Sequence, residues 1–293
     1  MTTPRASIVI PAHDEAAVIG RLLAALTTGA QRDELRIVVA CNGCSDDTAA
    51  IAATFPGVTV VDLPEPSKTA ALNAGDAAAG DVFPRLYLDA DILVDLAAVR
   101  AVADVLTTDE PRAAAPALRA LTTGRPYAVK GFYRVFTRLP WVTDNLVGSG
   151  FYGLSRAGRA RFGPFPHLTN DDLLVRSLFA SDERISVAAH QFAIETPRTT
   201  TALIHAKARV SAGVAEYGAI EDAAKRARGE TTRKPRGGSL PFLRLMARPV
   251  NWAPLAAYAY VRTAARALKL RRRVAGQQVG WGQDRTTRAT EAP

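Results

Sequence analysis

The sequence is poor in cysteine and contains no long apolar segment. Its 293 residues include two cysteines, Cys41 and Cys44, and four histidines that lie far apart in the chain. A zinc site needs a second pair of ligands, so this Cys-x-x-Cys pair indicates a redox pair or, as we favour, two small residues that fill a loop. A membrane-spanning helix needs about 20 apolar residues, and no segment reaches that length. Because the N-terminus also lacks a secretory signal, we expect a protein of the reducing cytoplasm.

Acidic residues are outnumbered by basic ones, 28 to 37, which gives a formal net charge of +9. This charge favours an anionic partner: a nucleic acid, a membrane surface or a phosphorylated substrate. The chain contains no recognisable RNA- or DNA-binding motif, so a basic nucleic-acid-binding protein is the disfavoured interpretation. The hydrophobic fraction of 48% and the charged fraction of 22% are ordinary for a folded domain and exclude global disorder.

Apolar segments alternate with helical repeats through the first half of the sequence. This alternation predicts an α/β fold with a mixed, mainly parallel sheet and helices on both faces. The predicted strands are 7–10, 36–40, 58–62 and 83–88, and the predicted helices are 14–26, 46–55, 67–79 and 95–106. In the less regular second half the predicted strands are 113–118, a glycine-rich turn and strand at 148–154, and 185–195, and the predicted helices are 127–138, 170–179, 199–228 and 241–273.

Polar side chains follow three of these strands, at the point where each strand ends. Residues 11–15 follow the first strand, residues 42–47 the second, and Asp89 and Asp91 the fourth. The carboxyl ends of parallel strands meet at one edge of a sheet, and ligands bind there. On an extended strand, side chains two residues apart point to the same side. Asp89 and Asp91 are therefore predicted to hold Mg²⁺ or Mn²⁺ and, through it, a diphosphate, the alternative being a solvated acidic turn.

Five short motifs resemble, in their order, those of the family 2 glycosyltransferases. They are the opening segment 8–15, the Asn-Gly-Cys-Ser-Asp-Asp-Thr loop at 42–48, the Lys-Thr-Ala-Ala-Leu-Asn-Ala-Gly helix at 68–75, Asp89-Ala90-Asp91, and Thr-Asn-Asp-Asp at 169–172. Each motif is weak alone, whereas five in order over about residues 5–215 are specific. The resemblance implies a GT-A fold with a Rossmann-like sheet, a nucleotide-diphospho-sugar donor, and a metal-dependent transfer with inversion.

The resemblance also implies a role for each residue that matches a motif. The implied donor-binding residues are Pro11, Ala12, Glu15, Asn42, Asp46, Lys68 and Asp89, and the implied metal ligands are Asp91 and Asp89. Asp171 is the implied general base, and Asp172 is the alternative because the register is open by one residue. Lys207 and Arg209 are assigned to the donor diphosphate or to an anionic acceptor, the alternative being a solvated basic face. For Glu15 and Asp46 the alternative is stabilisation of the first turn of a helix.

The sequence departs from the family pattern at three places. Asn42 replaces the usual Asp of the nucleobase loop, and Asn170 replaces the usual Glu before the base. The Gln-x-x-Arg-Trp segment of processive members is replaced by Ala-Lys-Ala-Arg-Val at 206–210, so we expect transfer of a single sugar. A UDP-sugar is the favoured donor, and the expected acceptor is a hydroxyl group on a lipid-linked or cell-envelope glycan precursor. A catalytically weak relative that binds nucleotide sugars is the alternative.

The chain divides into four predicted segments. They are a GT-A domain at 1–230, with a nucleotide-sugar-binding half at 1–106 and an acceptor half at 107–230, a linker at 231–239, a basic amphipathic helical segment at 240–273, and a disordered tail at 274–293. Arg262, Arg266, Lys269 and Arg273 recur on one face of the third segment. One interpretation is that this face binds an anionic membrane surface, which would make the protein peripheral on the inner face of the plasma membrane. The alternative is that the helix packs against the domain and this face is in water.

Overall fold

The computed structural model describes residues 4–143, 149–168, 170–227, 240–275 and 285–287. Within these ranges, eight strands form one mixed sheet with the order β3-β2-β1-β4-β7-β6-β8-β5. The strands are β1 (Ala6–Ala12), β2 (Leu35–Asn42), β3 (Val58–Leu63), β4 (Arg85–Leu88), β5 (Leu93–Val94), β6 (Ala113–Leu121), β7 (Phe151–Leu154) and β8 (Arg184–Glu195). The short strand β5 has no counterpart in the prediction.

The helices cover both faces of the sheet and continue beyond it at the C-terminal end. They are α1 (Ile19–Thr27), α2 (Thr48–Ala53), α3 (Lys68–Ala79), α4 (Leu96–Leu106), α5 (Tyr127–Phe136), α6 (Pro140–Thr143), α7 (Arg156–Arg159), α8 (Asp171–Ser177), α9 (Thr200–Ala227), α10 (Leu240–Met246) and α11 (Trp252–Val274). Two 3₁₀ turns lie at Pro249–Asn251 and Arg285–Thr287.

The first four strands of the sheet order, β3, β2, β1 and β4, run parallel, as the alternation predicted. Along β1, Ile8 and Ile10 enter one apolar cluster with α1 and α4, and Val9 enters a second cluster with α3. All three side chains are fully buried, because successive residues of a strand point to opposite faces and both faces are covered. The prediction of a mixed, mainly parallel α/β sheet is therefore confirmed, with β7 running antiparallel to β4 and β6.

Two predicted helix starts are wrong. Helix α1 begins at Ile19 and not at residue 14, because Asp14 has a φ of +49° and residues 16–18 form turns. Helix α2 begins at Thr48, and the Ser45 hydroxyl does not cap it; Ser45 N instead donates to Asp14 Oδ1 at 2.7 Å. In both places a polar residue that is typical of a helix start forms a turn between neighbouring loops.

The predicted strand at 83–88 is shorter in the structure and ends before the paired carboxylates. β4 covers Arg85–Leu88, and Asp89, Ala90 and Asp91 lie in the turn that follows. The argument that an extended strand sends Asp89 and Asp91 to one side is therefore wrong, since neither residue is in the strand. Both are partly exposed, so the tight turn still leaves them at the edge of the sheet.

The C-terminal helix α11 packs against the domain, while its contact with a membrane stays a prediction. The ring of Tyr258 on α11 stacks on Phe132 of α5, with centroids 5.0 Å apart, and Val261 is fully buried in the same cluster. A Cβ on Gly131 would lie 2.8 Å from Ala257 Cβ, so the glycine allows α5 and α11 to approach closely. Within the described ranges, no helix combines the length and apolar character needed to cross a membrane.

Part of the predicted disordered tail is ordered. The turn at Arg285–Thr287 contacts the domain through Thr286, whose hydroxyl accepts a hydrogen bond from Arg198 N at 3.1 Å. For these three residues the prediction of disorder is wrong. The predicted linker at 231–239 lies outside the described residues, as does the tail apart from 274–275 and 285–287.

Candidate active site

A cleft of about 430 Å³ lies along the edge of the sheet at which β1, β4 and β8 end. It brings together the following residues that the sequence predicted: Pro11, Glu15, Lys68, Asp89, Asp91, Asp171, Asp172, Lys207 and Arg209. Three other predicted residues, Ala12, Asn42 and Asp46, do not line it. The carboxyl ends of parallel strands thus meet at one site, as the strand-end clusters predicted.

One ammonium group joins the two acidic motifs of the cleft. Lys68 is the first residue of α3, where the hydroxyl of Ser67 caps the helix by accepting from Ala70 N. Its Nζ lies 2.8 Å from Asp89 Oδ1 and 3.0 Å from Asp171 Oδ1. Burial disfavours the charged ammonium, but the charges of Asp171 and Asp89 outweigh it and raise the pKa of Lys68 above its ordinary value. Lys68 is therefore an ion-paired residue of the cleft and not a solvated lysine in the first turn of a helix.

The two carboxylates of α8 differ in their surroundings. Asp171 is 3% exposed, and its Oδ2 accepts a hydrogen bond from the Tyr152 hydroxyl at 3.0 Å. Asp172 Oδ2 accepts one from Ser149 N at 3.2 Å. Burial, and then the charge of Asp171, raise the pKa of Asp172, although Lys68 opposes the shift. The Asp171 carboxylate thus lies between a cation and a hydroxyl, whereas ionisation of Asp172 is disfavoured.

The turn that carries Asp89 and Asp91 is held by a glycine of the neighbouring strand end. Asp89 N donates to Gly150 O at 2.8 Å, and Gly150 has a φ of +106°. A Cβ at position 150 would lie 2.8 Å from Ile92 Cγ2 and 3.4 Å from Asp89 Oδ2, so both the backbone conformation and the close approach require glycine. The arrangement holds Asp89 against β7 with its carboxylate at the cleft.

Asn42 and Asp46 hold the loops after β1 and β2 together from outside the cleft. The buried Asn42 Nδ2 donates to Ala12 O at 2.8 Å, and its Oδ1 has no partner among the described residues. Asp46 Oδ2 accepts from Ala16 N at 3.0 Å, and its Oδ1 accepts from Thr48 N at the same distance. Asp46 therefore accepts from the first N–H group of α2, as the alternative of first-turn stabilisation predicted, and it also joins the two loops. Glu15 precedes α1 by four residues, so the same role does not apply to its side chain.

A second acidic group, Asp14, Cys44 and Asp46, has ligand atoms within 4.8 Å of one another. Its carboxylate oxygens accept hydrogen bonds from Ser45, Ala16 and Thr48, so they already hold the loop. Both cysteines are free thiols that pack with the core, but Cys41 lies in strand β2, so the prediction of two loop residues is wrong for Cys41. The carboxylates of Asp89 and Asp91 instead line a space that can admit a substrate, so they are the better candidates for a metal site.

The profile of glycosyl transferase family 2 matches residues 7–161, more than half of the sequence. The chain belongs to glycosyl transferase family 2. The mannosyltransferase PcManGT from Pyrobaculum calidifontis, solved with GDP-Man and Mn²⁺, is similar with a TM-score of 0.58 and 19% identity, over 95% of this chain and 77% of that one. TarS of S. aureus, solved with UDP, is similar with a TM-score of 0.50 and 13% identity, over 64% of this chain and 60% of that one. A search of curated proteins found no match.

At these identities the two solved structures establish the fold, and the family match establishes the enzyme class. The protein is a glycosyltransferase with a GT-A fold, as the order of the five motifs predicted. The family match ends at residue 161, before α8 and the basic residues of α9. The assignments of Asp171, Asp172, Lys207 and Arg209 therefore rest on the geometry of the cleft.

In the glycosyltransferase, the basic motif of α9 lies at an aromatic part of the cleft. Lys207 Nζ is 5.2, 5.4 and 5.0 Å from the ring centroids of Phe132, Tyr133 and Phe136. Burial, with the charges of Arg209 and Arg262, lowers the pKa of Lys207 to about 8. His205, two residues before Lys207, is exposed and contacts Arg272 at 3.2 Å outside the cleft.

Sequence reasoning missed several residues of the glycosyltransferase cleft. His13 lies in the opening motif and lines the cleft, with its Nδ1 2.6 Å from Asn42 O. Its position beside Pro11 was a signal that could have identified it. Tyr152, Tyr258 and Arg262 also line the cleft, but they come from β7 and α11 and match no motif. Only the packing of distant segments brings them to the site.

Proposed function

We propose that this glycosyltransferase moves a single sugar from a nucleotide-diphosphate sugar to a hydroxyl acceptor, with inversion and with Mg²⁺ or Mn²⁺. The observation that carries the proposal is the contact of one ammonium, Lys68 Nζ, with the carboxylates of both Asp89 and Asp171. Asp89 belongs to the proposed diphosphate end of the site, and Asp171 is the proposed base. Their common contact supports a single reaction centre that spans leaving group and acceptor.

The nucleoside part of the donor is proposed to bind where β1 ends. Pro11 and Glu15 line the cleft there, while Asn42 fixes the backbone of the first motif through Ala12 O. The solved relatives were obtained with GDP-Man and with UDP, which supports a nucleoside diphosphate donor. A UDP-sugar remains the favoured donor.

Asp91 and Asp89 are the residues proposed to hold the divalent cation. Carboxylates are hard oxygen ligands of the kind that Mg²⁺ and Mn²⁺ prefer, and both side chains are partly exposed at the cleft. The cation, when bound, neutralises the charge that develops on the departing diphosphate. Lys68 contributes a fixed positive charge beside Asp89 for the same purpose. The Mn²⁺ of the solved mannosyltransferase supports this assignment.

Asp171 is proposed to accept the proton of the attacking hydroxyl. The acceptor oxygen forms a bond to the anomeric carbon while the bond from that carbon to the diphosphate oxygen breaks. The hydroxyl proton passes to the Asp171 carboxylate, and the nucleoside diphosphate leaves with the bonding electrons. Tyr152 and Lys68 hold the two oxygens of Asp171, so the carboxylate is oriented before substrate binds. A single displacement of this kind inverts the anomeric configuration.

The acceptor is proposed to be a lipid-linked or cell-envelope glycan precursor. Helix α11 supplies Tyr258 and Arg262 to the cleft, and on its outer surface Trp252 and Tyr260 are exposed. Aromatic and basic residues on one helix suit the interface of an anionic membrane. A peripheral position would bring a membrane-bound acceptor to the same helix that lines the site.

A thermal-shift screen of UDP-, GDP- and dTDP-sugars, with and without MnCl₂, tests the proposal. We expect one nucleotide class to raise the melting temperature by about 5–10 °C at a hundredfold excess over its Kd, and to do so only with Mn²⁺. Asp91→Asn should abolish the Mn²⁺-dependent part of the shift. The exposed Asp109→Asn, which removes the same charge, serves as the matched control.

Product analysis with the donor so identified completes the test. Release or transfer of the sugar supports the proposed enzyme, and an α-to-β or β-to-α change at the anomeric carbon supports inversion. Absence of a shift with every nucleotide sugar would overturn the proposed donor class. Mn²⁺-dependent binding without release or transfer would leave the catalytically weak relative as the function.

A further inference from the structure

The cleft has a helical end, formed by Phe132, Tyr133, Phe136, Lys207, Tyr258 and Arg262. Lys207 is partly buried there, with its ammonium over the three rings of α5. The faces of aromatic rings attract a cation, but they cannot form the hydrogen bonds that an ammonium loses on leaving water. The three donor hydrogens of Lys207 therefore need an acceptor in the cleft.

The charges around Lys207 are all positive. Arg209 and Arg262 both oppose its protonation, and no carboxylate pairs with it anywhere in the described ranges. Glu195, the acidic residue of the adjoining cleft wall, is bound by Arg125 at 2.8 Å. The remaining titratable side chains that face this end are Tyr133 and Tyr258, and burial raises the pKa of Tyr258. The helical end is thus a positive, partly desolvated surface.

We propose that the helical end binds a phosphate group that the acceptor carries next to an apolar moiety. Lys207 and Arg262 would donate to the phosphate oxygens, and the rings of Phe136 and Tyr258 would contact the apolar part. The inference rests on the proposed function, because it names the class of acceptor that the same cleft takes. Of the two assignments that the sequence left open for Lys207, it selects the anionic acceptor over the donor diphosphate.

The position of Lys207 in the fold separates it from the proposed donor site. The diphosphate end is built by α3 and the turn after β4, where Lys68 already supplies a cation to Asp89. Lys207 instead contacts side chains of α5, within the apolar cluster that α5, α9 and α11 share. A phosphate bound to Lys207 would therefore contact the cluster of α5, α9 and α11, whereas the proposed diphosphate would contact α3 and the turn after β4.

Binding of phenyl phosphate to the full-length protein, measured by isothermal titration calorimetry, tests the inference. Inorganic phosphate and phenol are the reference probes, since each retains one half of the recognised chemistry. We expect phenyl phosphate to bind more tightly than either reference. Lys207→Met should weaken it by about tenfold or more, because a charge-assisted hydrogen bond to phosphate is lost. Lys130→Met, at an exposed lysine of α5, removes the same charge and should leave affinity unchanged.

The pH dependence of this binding gives a second readout. Because the pKa of Lys207 is about 8, affinity should fall as the pH rises through that value and the ammonium loses its proton. Lys207→Arg should retain binding and lose this dependence, since a guanidinium stays charged throughout. A variant that is merely misfolded would show neither behaviour.

The source of the phosphate is distinguished by two further probes. Tighter binding of geranyl phosphate than of glycerol 3-phosphate would support the inference with a lipid-linked acceptor. The reverse order, still dependent on Lys207, would support it with a small soluble acceptor. In both cases binding should persist when the protein is saturated with UDP and Mn²⁺.

Two results would overturn the inference. One is that wild type and Lys207→Met bind phenyl phosphate with equal affinity, or that neither protein binds it. The other is loss of phenyl phosphate binding on saturation with UDP and Mn²⁺, which would return Lys207 to the donor diphosphate. Failure of the nucleotide-sugar screen leaves these binding results intact, so the two proposals fail separately.

Discussion

Lys68 explains how carboxylates that are far apart in the sequence serve one centre. Its ammonium contacts Asp89 from the turn after β4 and Asp171 from the first residue of α8. Asp171 is paired with this ammonium, whereas burial and the charge of Asp171 raise the pKa of Asp172 beside it. The two adjacent carboxylates therefore differ in their electrostatic surroundings.

Asp171→Asn is expected to lower transfer by about 10²–10⁴-fold while donor affinity changes little, because a general base acts on the acceptor hydroxyl. Asp172→Asn, its matched control, should lower transfer by less than about tenfold. Turnover with the donor from the screen, together with donor titration by calorimetry, measures both effects. An active Asp171→Asn with an inactive Asp172→Asn would transfer the role of base to Asp172.

The two variants are also expected to change the melting temperature in opposite directions. The folded-state pKa of Asp172 is raised above its unfolded value of 3.8, so its stabilising contribution exists below that value and is lost as the pH rises through the folded pKa. Asp172→Asn should therefore melt at a higher temperature than wild type near neutral pH, and the difference should vanish in acid. Asp171→Asn should melt lower, since it loses the Lys68 ion pair.

Helix α3 connects the two halves of the domain through residues of the third motif. Asn73 Oδ1 accepts from Phe165 N at 2.7 Å, and its Nδ2 donates to Phe165 O at 3.0 Å. A Cβ on Gly75 would lie 2.3 Å from Val9 Cγ1, so this glycine lets the helix pack closely on β1. The motif thus combines two residues that line the cleft, Lys68 and Leu72, with two residues that position its helix.

Asn73→Ala is expected to lower the free energy of unfolding by about 2–4 kcal/mol, since it leaves the N–H and C=O groups of Phe165 without their side-chain partner. Asn73→Asp keeps the acceptor for Phe165 N but not the donor, so it should lie between Ala and wild type. Denaturant unfolding of the three proteins measures the order. Equal midpoints for all three would show that the contact contributes nothing to stability.

The packing of α11 determines which variants can test whether the positively charged molecule binds a membrane. Removal of the C-terminal segment would take Tyr258 and Val261 out of a buried cluster and would open the cleft. Membrane binding therefore has to be tested with substitutions on the outer face of the helix. Arg266 and Arg273 are exposed there, on the helix that also exposes Trp252 and Tyr260.

Arg266→Glu/Arg273→Glu is expected to reduce co-sedimentation with phosphatidylglycerol vesicles by about tenfold or more, since each basic residue near anionic lipid contributes ~1 kcal/mol. Arg32→Glu/Arg119→Glu, at exposed positions outside α11, makes the same change in net charge and should bind like wild type. Vesicles of phosphatidylcholine should bind all three proteins weakly. Equal binding of wild type and both variants to anionic vesicles would contradict the prediction that α11 binds a membrane surface.

Local patterns in the amino-acid sequence were enough to predict the parallel half of the sheet and the edge at which ligands bind. Buried strands read as apolar segments, and Ser67 and Gly80 mark the ends of α3 as their backbone preferences require. Such features depend on neighbours in the chain, so they can be read without the fold. The same patterns were misleading at Asp14 and Ser45, where contacts between two loops outweigh helix capping.

Which residues contact one another in the cleft could be determined only from the folded chain. The pairing of Lys68 with Asp171, the hydroxyl of Tyr152 on that carboxylate, and the rings beneath Lys207 join segments that are tens to a hundred residues apart. Their free energy comes from burial and from charges brought together in a medium of low dielectric constant, and neither exists in the extended chain. A sequence motif can therefore identify a carboxylate residue. The tertiary packing determines which groups contact that carboxylate, how readily it is protonated and where in the cleft it lies.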